Sequence, residues 1–176
     1  MNKYILIGMR GVGKTTVAKE IALLNPLYAH YDTDEVFEQI HNTSIYSYIV
    51  THGIGSFRKH ESDILSTLIN NNNVVISTGG GIVSVQHNQS LFLNEKNNNT
   101  YIIFLHAPLD TLYKRRVTQE KHNIRPLLYD AVDISDEISV SWKKRKKWYY
   151  MLATHTIYTE GKTPYDIAQE ITSLSS

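Results

Sequence analysis

Five groups of residues carry the chemistry this chain is equipped for. Gly8-Met9-Arg10-Gly11-Val12-Gly13-Lys14-Thr15 fits the spacing G-x-x-x-x-G-K-[ST]. Its glycines let backbone N–H groups turn inward around phosphate oxygens, and the helix it opens adds a positive end. Lys14 then reaches the β- and γ-phosphates of a nucleoside triphosphate, and the Thr15 hydroxyl faces Mg²⁺. Asp32-Thr33-Asp34 offers two carboxylates at strand spacing, pointing the same way. They read either as a metal-shell acid beside a hydroxyl-binding acid, or as the N-cap of a helix over Glu35–Ile40. Arg58 and Glu61 stand at i,i+3, and Arg58, Glu61, Leu65 and Leu68 share one helical stripe. A guanidinium held there by a carboxylate is a fork for an anionic ligand; the alternative is a surface ion pair. Gly79-Gly80-Gly81 closes an apolar strand, at the end of the sheet where ligands of open parallel sheets sit.

Arg145 completes the set. It lies inside Lys143-Lys144-Arg145-Lys146-Lys147, which as composition alone suggests a nucleic-acid patch. As a helix, the segment puts Ile138, Trp142, Arg145, Tyr149 and Leu152 on one stripe and fans the lysines outward. Arg145 then faces inward, where a charge needs a partner: a substrate carboxylate or a structural carboxylate. No nucleic-acid partner is expected, because the net charge is only +1.

The elements that must position these groups follow from periodicity. Tyr4–Ile7, Ala29–Tyr31, Val74–Ser77, Tyr101–Leu105 and Thr156–Tyr158 read as strands. Lys14–Leu24, Phe57–Ile69, Leu109–Val117, Ile134–Leu152 and Pro164–Ile171 read as helices, the last with proline at its start. Strands alternating with helices imply an α/β fold: a five-stranded parallel sheet covered by helices on both faces. The 176 residues suit one domain. With 41% hydrophobic and 20% charged residues the composition is that of a globular protein. The absence of cysteine excludes disulfides, thiolate catalysis and thiolate metal sites in this chain. No apolar run approaches a membrane span, and Tyr4–Ile7 is too short for a signal-peptide core, so a cytoplasmic location without membrane partners is expected.

Six motifs in this order, at compatible spacing over nearly the whole chain, resemble those of the shikimate kinase family. Gly8–Thr16 looks like its phosphate loop, Asp32-Thr33-Asp34 like its D-x-D, and Phe57–Glu61 like its F-R-x-x-E. Val74–Gly81 looks like its apolar strand and triple glycine. Arg125-Pro126-Leu127-Leu128 is similar to its lid motif, and Arg145, Tyr149 and Ala153 match its R-x-x-x-Y-x-x-x-A. The resemblance implies a P-loop fold related to nucleoside-monophosphate kinases, acting as a monomer, with a lid at 118–129 and a substrate-binding segment at about 33–60. It implies ATP and shikimate as substrates, Mg²⁺ as cofactor, and shikimate 3-phosphate and ADP as products.

By the same resemblance Asp34 binds the reacting hydroxyl, while Arg58 and Arg145 clamp the substrate carboxylate. Gly79, Gly80 and Gly81 offer backbone to the ring. Thr15 and Asp32 serve the metal. Gly11, Val12, Gly13, Lys14, Thr15 and Thr16 hold the nucleotide phosphates, with Arg125 from the lid. Lys14, Asp34 and Arg125 are thus the expected catalytic groups. Arg115, or its neighbour Arg116, stacks on the adenine, with Pro164 on its other face. The chain departs from the pattern in a longer stretch between Arg115 and Arg125. Arg10 lies within the phosphate loop, Ile54 stands where glutamate is common, and Lys146-Lys147 follow the second arginine. The alternatives are a P-loop kinase of another hydroxy acid such as gluconate, or a non-catalytic nucleotide-binding relative.

Overall fold

The computed structural model describes residues 2–96, 99–120 and 131–175, with the side chains of 119 and 120 excepted. Five parallel strands, β1 (Lys3–Ile7), β2 (Ala29–Asp32), β3 (Val74–Ser77), β4 (Thr100–His106) and β5 (His155–Tyr158), lie in the order β2-β3-β1-β4-β5. β1 is central, paired with β3 and β4, and Tyr4–Ile7 are buried. Its unbroken apolar run reflects cover on both faces. Edge strand β2 alternates in exposure and ends with buried Asp32.

The helices are α1 (Lys14–Leu24), α2 (Thr33–His41), α3 (Ile45–Ile69), α4 (Gln86–Glu95), α5 (Leu109–Glu120), α6 (Ile134–Leu152) and α7 (Pro164–Ser173). α1 buries Val17, Ala18 and Ile21, the stripe read from its spacing. α7 starts with Pro164 inside a capping box, in which Thr163 receives the Asp166 amide and the Asp166 carboxylate receives the Thr163 amide. α3 is longer than the sequence pattern indicates and breaks at Gly53, where φ is 79° and ψ 159°. The short stretch before the break carries exposed Tyr46 and Val50, which blurs an apolar face. The sequence pattern does not mark α4, because polar residues interrupt its apolar face; it buries Asn88 and Phe92 only.

The parallel register puts Asp32 opposite Ser77 and Leu6 opposite Ser77 on the other side. The carboxyl ends of β2, β3 and β1 therefore lie along one edge of the sheet, and the phosphate loop, Asp32, Asp34 and Gly79–Gly81 sit on or just beyond them, while Arg58 and Glu61 come from α3.

Candidate active site

The phosphate loop leaves β1 at Gly8. Its φ is 148°, and a Cβ there would stand 2.5 Å from the carbonyl oxygen of Leu105 on β4, so only glycine lets the loop depart so close to the sheet. Gly13 takes φ 104° at the start of α1, with no side-chain cap and no acidic residue in the first turn. The first amides of α1 are thus left for an anion. Lys14 lies folded over the loop and donates to the carbonyls of Gly8 at 2.9 Å and Met9 at 3.0 Å. Thr16 is exposed in the same first turn.

Burial lowers the Lys14 pKa, Asp34 and Asp32 oppose it, and Arg145 adds to the lowering, for a net value of about 8. In the unfolded chain Lys14 titrates near 10.5, so between about pH 8 and 10 the unfolded state binds more protons. The Lys14 contribution to stability accordingly rises with pH across that window, by about 3 kcal/mol in all. Phosphates have the opposite effect, because they favour the ammonium. ADP binding is expected to take up about one proton near pH 9 and almost none near pH 7. Calorimetry of ADP in two buffers of different ionisation enthalpy measures this uptake. Uptake that persists in Lys14→Met would assign it to another group.

Asp32 collects four donors. Thr15 and Ser77 hydroxyls each donate to Oδ2 at 2.6 Å, and the amides of Asp34 and Glu35 donate to Oδ1 at 2.9 and 3.4 Å. Burial works to raise its pKa, but these hydrogen bonds outweigh burial and hold the carboxyl below the usual range. Both readings of Asp32 are therefore satisfied at once: it caps α2 and it orients Thr15. A hydroxyl that gives its proton to Asp32 keeps its lone pairs for a cation. Thr15 and Asp32 thus suit Mg²⁺ carried in with nucleotide phosphates. Among the described residues no group of three or more His, Cys, Asp or Glu could cage a metal, and Mg²⁺ bound this way needs none.

The shared direction expected for the two carboxylates is corrected by the structure. Asp32 ends a strand, whereas Asp34 lies in the first turn of α2, so helical geometry separates them. Asp32 faces Thr15 and Ser77. Asp34 faces Gly79, where an added Cβ would meet its Oδ1 at 2.9 Å and Oε1 of Glu61 at 2.6 Å.

The three glycines each border a different group. Next to Gly79 come Asp34 and Glu61; next to Gly80 comes Arg145, with Nη1 at 3.6 Å from an added Cβ; next to Gly81 comes the Arg58 guanidinium, with Cζ at 2.8 Å. Arg58 donates to Glu61 at 2.6 Å, and Glu61 is only 1% exposed. Burial raises the Glu61 pKa, opposed by the charge and hydrogen bond of Arg58 and by the charge of Arg145. Arg145 is 3% exposed, while Lys143, Lys144, Lys146 and Lys147 are all exposed, as the helical reading requires. Tyr149, one turn on, donates to the carbonyl of Gly80 at 2.6 Å and stacks on Phe104 at 4.9 Å. Gly81→Ala must push Arg58 off its seat. Its expected result is a rise of about tenfold in KM for the carboxylate substrate with ADP affinity unchanged. Unchanged KM would show that Arg58 has a second productive position.

On the nucleotide side the two arginines separate. Arg115 donates to the carbonyl of Val12 at 3.0 Å and is partly exposed. Arg116 is 2% exposed, pairs with Glu137 of α6 at 3.0 Å, and packs its Cγ 3.2 Å from an added Cβ on Gly11. Arg116 is thus committed to joining α5, α6 and the phosphate loop, which leaves Arg115 as the accessible one. Pro164 is exposed at the start of α7. Arg10 is half-buried in the loop, and Ile54 is 49% exposed. Arg125, and the lid segment 118–129 beyond residue 120, lie outside the described residues. Thr33, Ser77 and Glu137 are site groups the sequence reading missed.

A phosphate loop after the central strand, a hydrogen-bonded carboxylate at the end of β2, and an acid and two arginines gathered around a triple glycine suit a P-loop kinase of a small anionic metabolite. Comparison with known proteins narrows the class. The shikimate kinase family model matches residues 10–175. The chain is 37% identical over 170 residues to a shikimate kinase of Streptococcus gordonii, covering 97% of this chain and 98% of the relative. It is 36% identical to one of Enterococcus faecalis, covering 97% and 96%. The structure of a shikimate kinase from Acinetobacter baumannii in complex with shikimate superposes with TM-score 0.86 at 26% identity, covering 99% of this chain and 92% of that one. The chain belongs to the shikimate kinase family, enzymes of ATP-dependent shikimate phosphorylation in aromatic amino acid biosynthesis.

Proposed function

We propose that this chain moves the γ-phosphoryl of ATP to the 3-hydroxyl of shikimate through the groups just described. The observation that carries the reading is the triple glycine, which draws Asp34, Glu61, Arg145 and Arg58 around one bare stretch of backbone. A carboxylate-bearing ring laid on that backbone meets Arg58 and Arg145, two guanidinium forks suited to a carboxylate. Its hydroxyl side meets Asp34, which in turn lies within electrostatic reach of Lys14.

Phosphoryl transfer of this kind passes through a loose transition state, so positioning and charge neutralisation do most of the work. Lys14 neutralises charge on the transferring group. Asp34 holds the attacking hydroxyl and takes its proton as the new P–O bond forms. Thr15, oriented by Asp32, would hold Mg²⁺, which would supply charge neutralisation on the phosphates. Arg125 adds a further cation to the phosphates, and a lid over 118–129 excludes water. The segment at about 33–60 provides the substrate wall, and Arg115 and Pro164 flank the adenine. The enzyme acts as a cytoplasmic monomer on small molecules, without nucleic acid or membrane partners. Among the described residues no helix is long and apolar enough to cross a membrane.

ADP release with Mg·ATP, measured with shikimate, gluconate and a nucleoside monophosphate in turn, tests the reading. Stimulation by shikimate alone is expected. Stimulation by gluconate alone would move the substrate, and tight ATP binding without turnover on any acceptor would make the chain a binding protein.

A further inference from the structure

Two buried hydroxyls, neither expected to touch a substrate, tie Asp32-Thr33-Asp34 to the end of β3. The Ser77 hydroxyl, wholly buried, donates to Oδ2 of Asp32 at 2.6 Å. The Thr33 hydroxyl, 1% exposed, accepts the backbone N–H of Gly79 at 3.0 Å. Ser77 and Gly79 lie two residues apart on one chain segment, and Asp32 and Thr33 are neighbours on the other. The parallel register sets Asp32 directly across from Ser77, so the two bonds cross the same seam side by side.

The two bonds serve different carboxylates. Four donors fill the acceptor capacity of Asp32, and two of them, the amides of Asp34 and Glu35, come from the helix it caps. Ser77 is the donor that anchors Oδ2 to the sheet, and Thr15 shares that oxygen. Without Ser77, Thr15 is the only one of the four donors left on Oδ2, and the carboxylate can turn about its Oδ1 bonds and change the direction of the Thr15 lone pairs. The Thr33 bond acts on the other side. It fixes the first turn of α2, which carries Asp34, against Gly79, the glycine whose added Cβ would meet Asp34. Its loss would leave a buried amide without that acceptor at the point where the acid faces the ring site.

We propose that Ser77 and Thr33 are positioning residues that sort the two carboxylates of the D-T-D motif, Ser77 setting Asp32 for the metal and Thr33 setting Asp34 for the acceptor hydroxyl. The assignment rests on the reading of the site as a shikimate-phosphorylating one. It predicts that the two variants fail in different ways, which a common packing role would not produce.

The test uses the full chain with Mn²⁺ as the metal probe. ADP-dependent Mn²⁺ affinity is read by electron paramagnetic resonance, and shikimate kinetics are read as ADP release. Ser77→Ala is expected to weaken Mn²⁺ binding in the presence of ADP about tenfold while shikimate affinity stays within about twofold. Thr33→Val is expected to lower kcat/KM for shikimate about tenfold or more, with Mn²⁺ affinity within about twofold. Thr33→Ser, which keeps the acceptor, is expected to restore the rate. Equal losses in both readouts from both variants, or lowered melting temperatures with neither readout moved, overturn the proposal, as does failure of Thr33→Ser to rescue. Absence of shikimate turnover in the unaltered chain would overturn the functional reading instead. The Mn²⁺ arm would still report on Ser77, because it needs only the nucleotide.

Discussion

Asp34→Asn lowers turnover with shikimate at least about a thousandfold while ADP affinity at low pH stays near that of the unaltered chain. The size follows from what the side chain does in two capacities. In the proposed reaction it acts as the acceptor that holds a hydroxyl in line and receives its proton, and asparagine can accept the hydrogen bond without taking the proton. As a charge it lies close enough to Lys14 to be the largest of the influences raising that ammonium's pKa. The second role sets a condition on the measurement. Without the Asp34 charge, Lys14 loses its proton below pH 8 instead of near it. ADP binding to the variant is expected to weaken at a lower pH than binding to the unaltered chain. Comparison at a pH well below 8, where bound phosphates also favour the ammonium, isolates the catalytic loss. Turnover within tenfold of the unaltered chain, under conditions where both bind ADP equally, would remove Asp34 from the reaction.

That coupling shows which parts of the site the sequence could and could not reveal. Lys14, Thr15 and the glycines were readable because a phosphate loop is local: one strand, one turn and one helix start hold all its parts. Arg145 was readable because helical periodicity places it among Trp142, Tyr149 and Leu152, against the composition of its lysine-rich neighbours. The structure places it buried, with those lysines exposed. The relation between Asp32 and Asp34 was misjudged for a definite reason. The strand ends at the first carboxylate, and that carboxylate caps the helix that carries the second. Period-2 spacing stops applying inside the motif. Ser77 and Thr33 could not be found at all by local pattern, since their partners lie 45 and 46 residues away and depend on β2 lying beside β3. The choice between Arg115 and Arg116 likewise needed the position of α6, because Glu137 decides which arginine is buried. Long-range register, more than residue type, was the missing information.

Arg145→Ala is the second large effect: kcat/KM for shikimate falls about a thousandfold, with most of the loss in KM. Arg145 lies beside Gly80 in the proposed ring site and is 3% exposed, so a carboxylate reaching it meets an arginine whose solvation has already been given up. Arg145→Lys keeps the charge without the planar fork and is expected to recover only part of the loss. A structural role alone predicts a lower melting temperature with KM unchanged, and that result would refute the clamp. The removal also has consequences for two neighbours. Arg145 helps hold Glu61 ionised against burial, so its loss raises the Glu61 pKa further and weakens the grip on Arg58. The two arginines are therefore coupled, and Arg58→Ala with Arg145→Ala should lose less than the two single losses combined. On Lys14 the sign is reversed. Arg145 lowers its pKa whereas Asp34 raises it, so Arg145→Ala should extend ADP binding to higher pH as Asp34→Asn retracts it to lower pH. Opposite displacements of one proton-uptake profile by two variants are expected only if Lys14, Asp34 and Arg145 share a single electrostatic site, as the geometry around Gly79–Gly81 requires.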